Sequence, residues 1–172
     1  MKAFFENLYK GSKSEFLKLL KSNLQNGERT FVVTANPEAF ICAEKDSEMS
    51  EILKSATVVA DGIGIVKGGK ILGTDIAERI PGVEIAEELL NYANELNKSV
   101  YFFGAKPEVV EKLAETVKQK YTGIKIAGYC DGYCENKNER FKEAAALSPD
   151  IILVALGIPA QEKLIYRHIN EF

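Results

Sequence analysis

The chain has little of what disulfide frameworks and metal cages require. Its three cysteines, Cys42, Cys130 and Cys134, cannot all pair with one another, and an odd count argues against a disulfide framework. His168 is the only histidine, so a zinc site built on it with Cys130 and Cys134 lacks a defined fourth ligand. Buried free thiols are the plainer reading, and no metal site is assigned. No apolar run approaches the roughly 18 residues that a membrane span needs. The N-terminus lacks the basic start and continuous apolar stretch of a signal peptide, so cytosolic residence is the expectation. Positive charge is not in excess either. The net charge is −3 and the pI near 5.4, which argues against a broadly basic nucleic-acid binder.

What is present is an ordinary soluble composition, 46% hydrophobic and 27% charged over 172 residues, enough for a domain with a real core. With no repeat, linker or low-complexity tract, a single domain over 1–172 is expected. Strand and helix patterns alternate. Helical spacing covers 12–25, closed by Asn26-Gly27, and a strand is expected at 29–34. Asn36 stands at the N-cap of a helix that Pro37 opens, and a short helix follows at 47–54. Residues 57–60 form the next strand, and 62–71 a glycine-rich helix with a turn expected at Gly68-Gly69. A strong helix covers 83–97, then a strand 99–103, a helix 107–121 and a strand 124–129. Asn136 or Asn138 is expected to cap a helix reaching Leu147. The most apolar strand is 150–156, and Pro159 opens the last helix. Five strands separated by helices predict an α/β, Rossmann-like fold: a largely parallel sheet with right-handed crossovers, flanked by helices.

Three polar motifs follow apolar strand runs: Thr34-Ala35-Asn36-Pro37-Glu38, Ala60-Asp61-Gly62-Ile63-Gly64 and Gly157-Ile158-Pro159-Ala160-Gln161-Glu162. Strand ends of open α/β sheets are where ligands bind. Each polar residue there has a plain reading beside a functional one. Asp61 reads as an N-cap, worth about 1 kcal/mol, or as a general base. Asn36 and Thr34 carry the same ambiguity. Arg79 is either paired with a glutamate on the surface or a phosphate clamp. Gln161 is solvent-exposed or bound to substrate, and Glu162 favours the positive helix end. Tyr133 stacks on a base or packs as an edge aromatic. Gly62-Ile63-Gly64 begins a dinucleotide fingerprint that fails at Lys67, and Gly64, Gly69 and Lys70 approximate a P-loop that fails at Ile71. Asp-x-Asp, the pair with which many nucleotide-sugar transferases hold a metal, occurs nowhere. Diphosphate charge would then fall to arginine, backbone N–H groups and helix N-termini.

As an ordered set these motifs resemble the WecG/TagA/CpsF family, glycosyltransferase family 26, and its TagA branch most closely. Glu78-Arg79-Ile80-Pro81-Gly82, Val100-Tyr101-Phe102-Phe103-Gly104 and Asp131-Gly132-Tyr133 complete the set, which covers most of the chain. The resemblance implies inverting, metal-independent transfer of N-acetylmannosamine from UDP-N-acetylmannosamine to undecaprenyl-diphosphate-linked N-acetylglucosamine, a step of wall teichoic acid synthesis. It implies Asp61 as the base, with Thr34 and Asn36 positioning sugar or acceptor. Arg79 meets phosphate charge, and Gln161 contacts the donor. Gly104, Asp131, Gly132, Tyr133 and Gly157 lie on the nucleotide side, with Gly132 and Tyr133 near the uracil. Such enzymes need no cofactor beyond the UDP-sugar substrate and work at the inner face of the cell membrane. Family members usually continue past the Gln-Glu helix with a basic tail that docks on the membrane. This chain stops at Phe172, so a core with weak or no activity is expected, and self-association through an uncovered apolar helix face. The rival readings are a non-catalytic nucleotide-binding module and a nicotinamide-dependent oxidoreductase.

Overall fold

Short-range signals set most of the element ends. In the computed structural model, which describes residues 2–172, a short helix α1 (Lys2–Glu6) precedes α2 (Lys13–Asn26). Ser12 and Glu15 start α2 with a reciprocal capping box, and Gly27 at φ 70° ends it. Strand β1 (Val32–Ala35) runs parallel to β2 (Thr57–Ala60), in register from Val32 opposite Thr57 to Ala35 opposite Ala60. Two helices make the crossover, α3 (Pro37–Lys45) and α4 (Ser47–Ser55). Asp46 ends the first and caps the second, accepting from Met49 N–H at 3.1 Å. Helix α5 (Ile63–Ile71) follows β2.

The expected turn at Gly68-Gly69 is not there: α5 runs through both glycines and turns at Gly73, φ 72°. The reason is packing. A side chain at Gly69 would lie 2.5 Å from Ile76 Cδ1, and one at Gly68 would meet the Phe5 ring. These glycines make room for neighbours rather than bend the chain. Before α2, Leu8 bridges Val58 in parallel, and Tyr9 N–H donates to the Val58 carbonyl at 2.8 Å. Phe16, Phe40, Met49, Ile52, Val59 and Ile65 are buried around these elements.

The chain divides into two compact units, the first ending at Ile85 and the second spanning Ala86–Phe172. The boundary falls inside α6 (Gly82–Leu96). The second unit holds β3 (Ser99–Gly104), α7 (Pro107–Lys120), β4 (Lys125–Cys130), α8 (Lys137–Ala146), β5 (Ile151–Ala155) and α9 (Ala160–His168). Its sheet has the order β4-β3-β5, all parallel. Among the described residues the strand pairs of both units are therefore all parallel, arranged as a pair and a triplet. The register slips between Val100 and Tyr101. There the Tyr101 ring covers Gly128, where a side chain would lie 2.7 Å from Tyr101 Cε2. Phe103 and Phe141 meet edge to face at 5.1 Å in the core of this unit, with Ala144 and Leu164. At the opposite end of the strands, Asp150 accepts from Ser99 N–H and hydroxyl, each at 2.7 Å, and from Lys98 Nζ at 2.9 Å. Burial alone would push that carboxyl up, but these donors outweigh it and hold it below its ordinary range.

Of the two asparagines expected to cap α8, Asn136 is its N-cap residue, at φ 53° and without a side-chain bond. Asn138 Oδ1 instead lies 3.0 Å from His168 Nε2, while His168 Nδ1 lies 3.0 Å from Glu171. Both ring nitrogens of the buried histidine thus have partners within the protein. The Cys130 thiol is pushed up to about 12, by burial first and then by its contact with Cys134.

Candidate active site

In the first unit the ends of β1 and β2 lie in step. Asp61 N–H donates to the Ala35 carbonyl at 3.0 Å, and Ile80 N–H donates to the Ala60 carbonyl at 2.7 Å. The chain therefore returns across both strand ends just after Arg79. It passes so close that a side chain at Gly82 would lie 3.0 Å from Thr34 Oγ1. Thr34, Asn36, Asp61 and the 79–82 segment are thereby gathered at one sheet edge. Asn36 caps α3, its Oδ1 accepting from Ala39 N–H at 3.0 Å. Asp61 caps nothing. Helix α5 starts from Gly62 with no side-chain cap. The half-buried Asp61 carboxylate has neither hydrogen bond nor ion pair among the described residues.

Arg79 is exposed, and its guanidinium makes no ion pair among the described residues. The neighbouring glutamates are committed to Lys13. Glu78 Oε1 accepts from Lys13 N–H at 2.8 Å, and Glu84 pairs with Lys13 Nζ at 2.6 Å. The Glu84 hydrogen bond pushes the Lys13 ammonium up, against the positive charge of Arg79 nearby. A carboxylate without internal partners and a free guanidinium on the adjoining segment are the parts of a base and an anion clamp.

In the second unit the strand order reverses direction between β3 and β5, which makes their carboxyl ends the crevice of this sheet. Three turns are stitched together there. Ala105 N–H donates to the Ala155 carbonyl at 2.9 Å, and Gly132 N–H to the Ala105 carbonyl at 2.8 Å. Gly104 sits at φ 123° with any side chain directed into the Ala155 carbonyl, a position that only glycine fits. Asp131 Oδ1 accepts from Tyr133 N–H at 2.8 Å, closing a turn that leaves Tyr133 70% exposed. A cleft of about 380 Å³ opens beside Asp131, lined among others by Tyr101, Tyr129, Cys130, Cys134 and Arg140.

Gln161 does not stand free in solvent. Its Oε1 accepts from Gly157 N–H at 3.0 Å and Leu156 N–H at 3.3 Å, and its Nε2 donates to Glu162 at 2.9 Å. Glu162, read from sequence as a helix-end charge, is 3% exposed. The apolar Ile165 lies three residues on, on the same helix face, but the local charge pattern masked that signal. The P-loop approximation dissolves, because Gly64, Gly69 and Lys70 all lie within helix α5 rather than in a loop. No helix among the described residues is long and apolar enough to cross a membrane.

Comparison with known proteins adds to this geometry. The chain is 40% identical over 149 residues to an N-acetylglucosaminyldiphosphoundecaprenol N-acetyl-beta-D-mannosaminyltransferase of Bacillus spizizenii, an alignment covering 85% of this chain and 58% of that protein. A protein of the same name from Bacillus subtilis is 38% identical, over 80% of this chain and 55% of its own length. Another from Staphylococcus aureus is 37% identical, over 86% and 59%. The chain thus spans somewhat over half the length of these relatives. The sequence model of the glycosyl transferase WecG/TagA/CpsF family matches residues 5–172. The chain belongs to that family.

Proposed function

We propose that this chain is the core of an inverting glycosyltransferase. It moves N-acetylmannosamine from UDP-N-acetylmannosamine to N-acetylglucosamine carried on undecaprenyl diphosphate, in wall teichoic acid synthesis. The observation that carries the reading is the Asp61 carboxylate, half-buried at a sheet edge and without a partner among the described residues. Asp61 takes the proton of the acceptor hydroxyl as its oxygen attacks the anomeric carbon. The bond from that carbon to the diphosphate breaks on the opposite side, and UDP leaves. One in-line displacement turns an α-linked donor into a β-linked product and needs one base.

The leaving diphosphate carries the charge that must be met. Arg79 is the group suited to it, since a guanidinium fork matches phosphate oxygens. Thr34 and Asn36 orient sugar or acceptor beside the base. Gly104, Asp131, Gly132, Tyr133, Gly157 and Gln161 serve the nucleotide side, with the exposed Tyr133 ring available to a base. No metal is assigned a step, in keeping with the missing Asp-x-Asp pair.

The test is Asp61→Asn. Calorimetry with UDP is expected to give nearly the wild-type affinity. Mass spectrometry of a short-chain prenyl diphosphate acceptor is expected to show a severe loss of transfer. Wild-type turnover in that variant removes Asp61 from the role. UDP binding with no transfer by the protein at the full length of its relatives favours the nucleotide-binding module instead.

A further inference from the structure

Gln161 and Glu162 open helix α9 with their side chains joined. The two ends of the Gln161 amide are not interchangeable. Its oxygen faces two backbone donors, Gly157 N–H and Leu156 N–H, and its nitrogen faces a carboxyl oxygen. Turned over, the amide would set donor against donor and acceptor against acceptor. Glu162 Oε1 and the two backbone donors therefore hold Gln161 in one orientation from both ends of its amide.

The price of this arrangement is visible on the other carboxyl oxygen. Glu162 Oε2 is buried and has no hydrogen-bond partner among the described residues. Burying a carboxyl with one oxygen unsatisfied costs free energy that an apolar side chain of similar size would avoid. Burial also pushes its pKa above the ordinary 4.5. Among the described residues no ion pair offsets that cost, and the carboxyl's side-chain hydrogen bond is the one it accepts from Gln161.

We propose that Glu162 is a positioning residue for the donor site. It locks the Gln161 amide across the Leu156 and Gly157 backbone, and so shapes the β5–α9 turn to receive the nucleotide part of a UDP-sugar. The inference rests on the reading of Gly157 and Gln161 as donor-side residues. Its closing experiment therefore has one arm without ligand and one with it.

Amide hydrogen exchange followed by NMR on the whole chain reads the clasp alone. In Glu162→Leu the amides of Leu156 and Gly157 are expected to exchange about tenfold faster, the scale of one lost hydrogen bond. Those of Val100 to Phe103 stay as in wild type. Glu162→Gln keeps an acceptor oxygen and restores slow exchange. Should Glu162→Leu not fold, the double exchange Gln161→Glu with Glu162→Gln decides. It preserves the pairing with roles reversed and is expected to keep exchange slow, while Gln161→Glu alone speeds it. In the second arm, Gln161→Ala and Glu162→Leu each weaken UDP binding about tenfold, and the double variant no further, because the two act as a unit. Glu162→Gln restores the affinity. Unchanged exchange in Glu162→Leu, or fast exchange in the reversed pair, overturns the role of Glu162. Unchanged UDP affinity in Gln161→Ala overturns the donor reading of this turn.

Discussion

The ends of β1 and β2 are built from the same local grammar and come to different uses. Each is a four-residue parallel strand closing on an alanine, and the two alanines face each other. Each is followed by a small polar residue and then a helix. At β1 the polar residue is itself the helix cap, so the Asn36 oxygen is bound to Ala39 N–H. At β2 a glycine intervenes and takes the cap position, so the Asp61 carboxylate is left without such a bond. One inserted residue separates an amide oxygen engaged in a helix cap, with only its Nδ2 left for a ligand, from a carboxylate with both oxygens available. Availability, more than residue type, is what marks a candidate base on this scaffold.

Substitutions can break that contrast or sharpen it. The largest effect is expected from Asp61→Asn, with transfer falling about a thousandfold, within the range for loss of a general base. The same change is expected to leave the thermal unfolding midpoint in place. Asn36→Ala should do the reverse to the fold, costing about 1 kcal/mol of stability as a lost helix cap. Asp61→Ala, measured in the same denaturant titration, should stay within about 0.5 kcal/mol of wild type. If Asp61→Ala costs as much as Asn36→Ala, the contrast fails.

A third test compares carboxyls by pH. Burial raises the Glu162 pKa above 4.5, so the folded protein holds this proton more tightly than the unfolded chain. Stability relative to Glu162→Gln should then fall as pH rises from 4.5 through the raised value. Melting curves of the two proteins across that window check the sign. The smallest effect is expected at Gly62, φ −103°, where a side chain would make only ordinary contact with Pro37. Gly62→Ser should supply the missing cap of α5 and add a few tenths of a kcal/mol, without touching Asp61.

Short-range chemistry made much of this legible in advance. Asn36-Pro37 announces a capped helix start, Ser12 with Glu15 a capping box, and Gly27 a helix end, because each signal acts within a few residues. What escaped depends on distant neighbours. Gly68 and Gly69 read as a turn because nothing local reveals Phe5 and Ile76 lying against them. Helix α1 is too short to show a period, and the bridge from Leu8 to Val58 joins residues far apart in sequence. Strand pairing into a pair and a triplet is likewise a choice among distant partners. At the site, the motif order pointed to Asp61, but its freedom from capping depended on a helix starting one residue later than the local pattern favours. Glu162 was hidden for the opposite reason, a charged residue at a helix start being the usual surface pattern.

The contact of Tyr9 with Val58 carries a consequence for handling the protein. A parallel two-stranded ribbon leaves its flank open to strand addition by any passing chain. Here a single backbone link from the N-terminal stretch occupies part of that flank. Trimming the chain back to Ser12 would bare the β2 border, and the trimmed protein is expected to precipitate at concentrations where the parent stays dispersed.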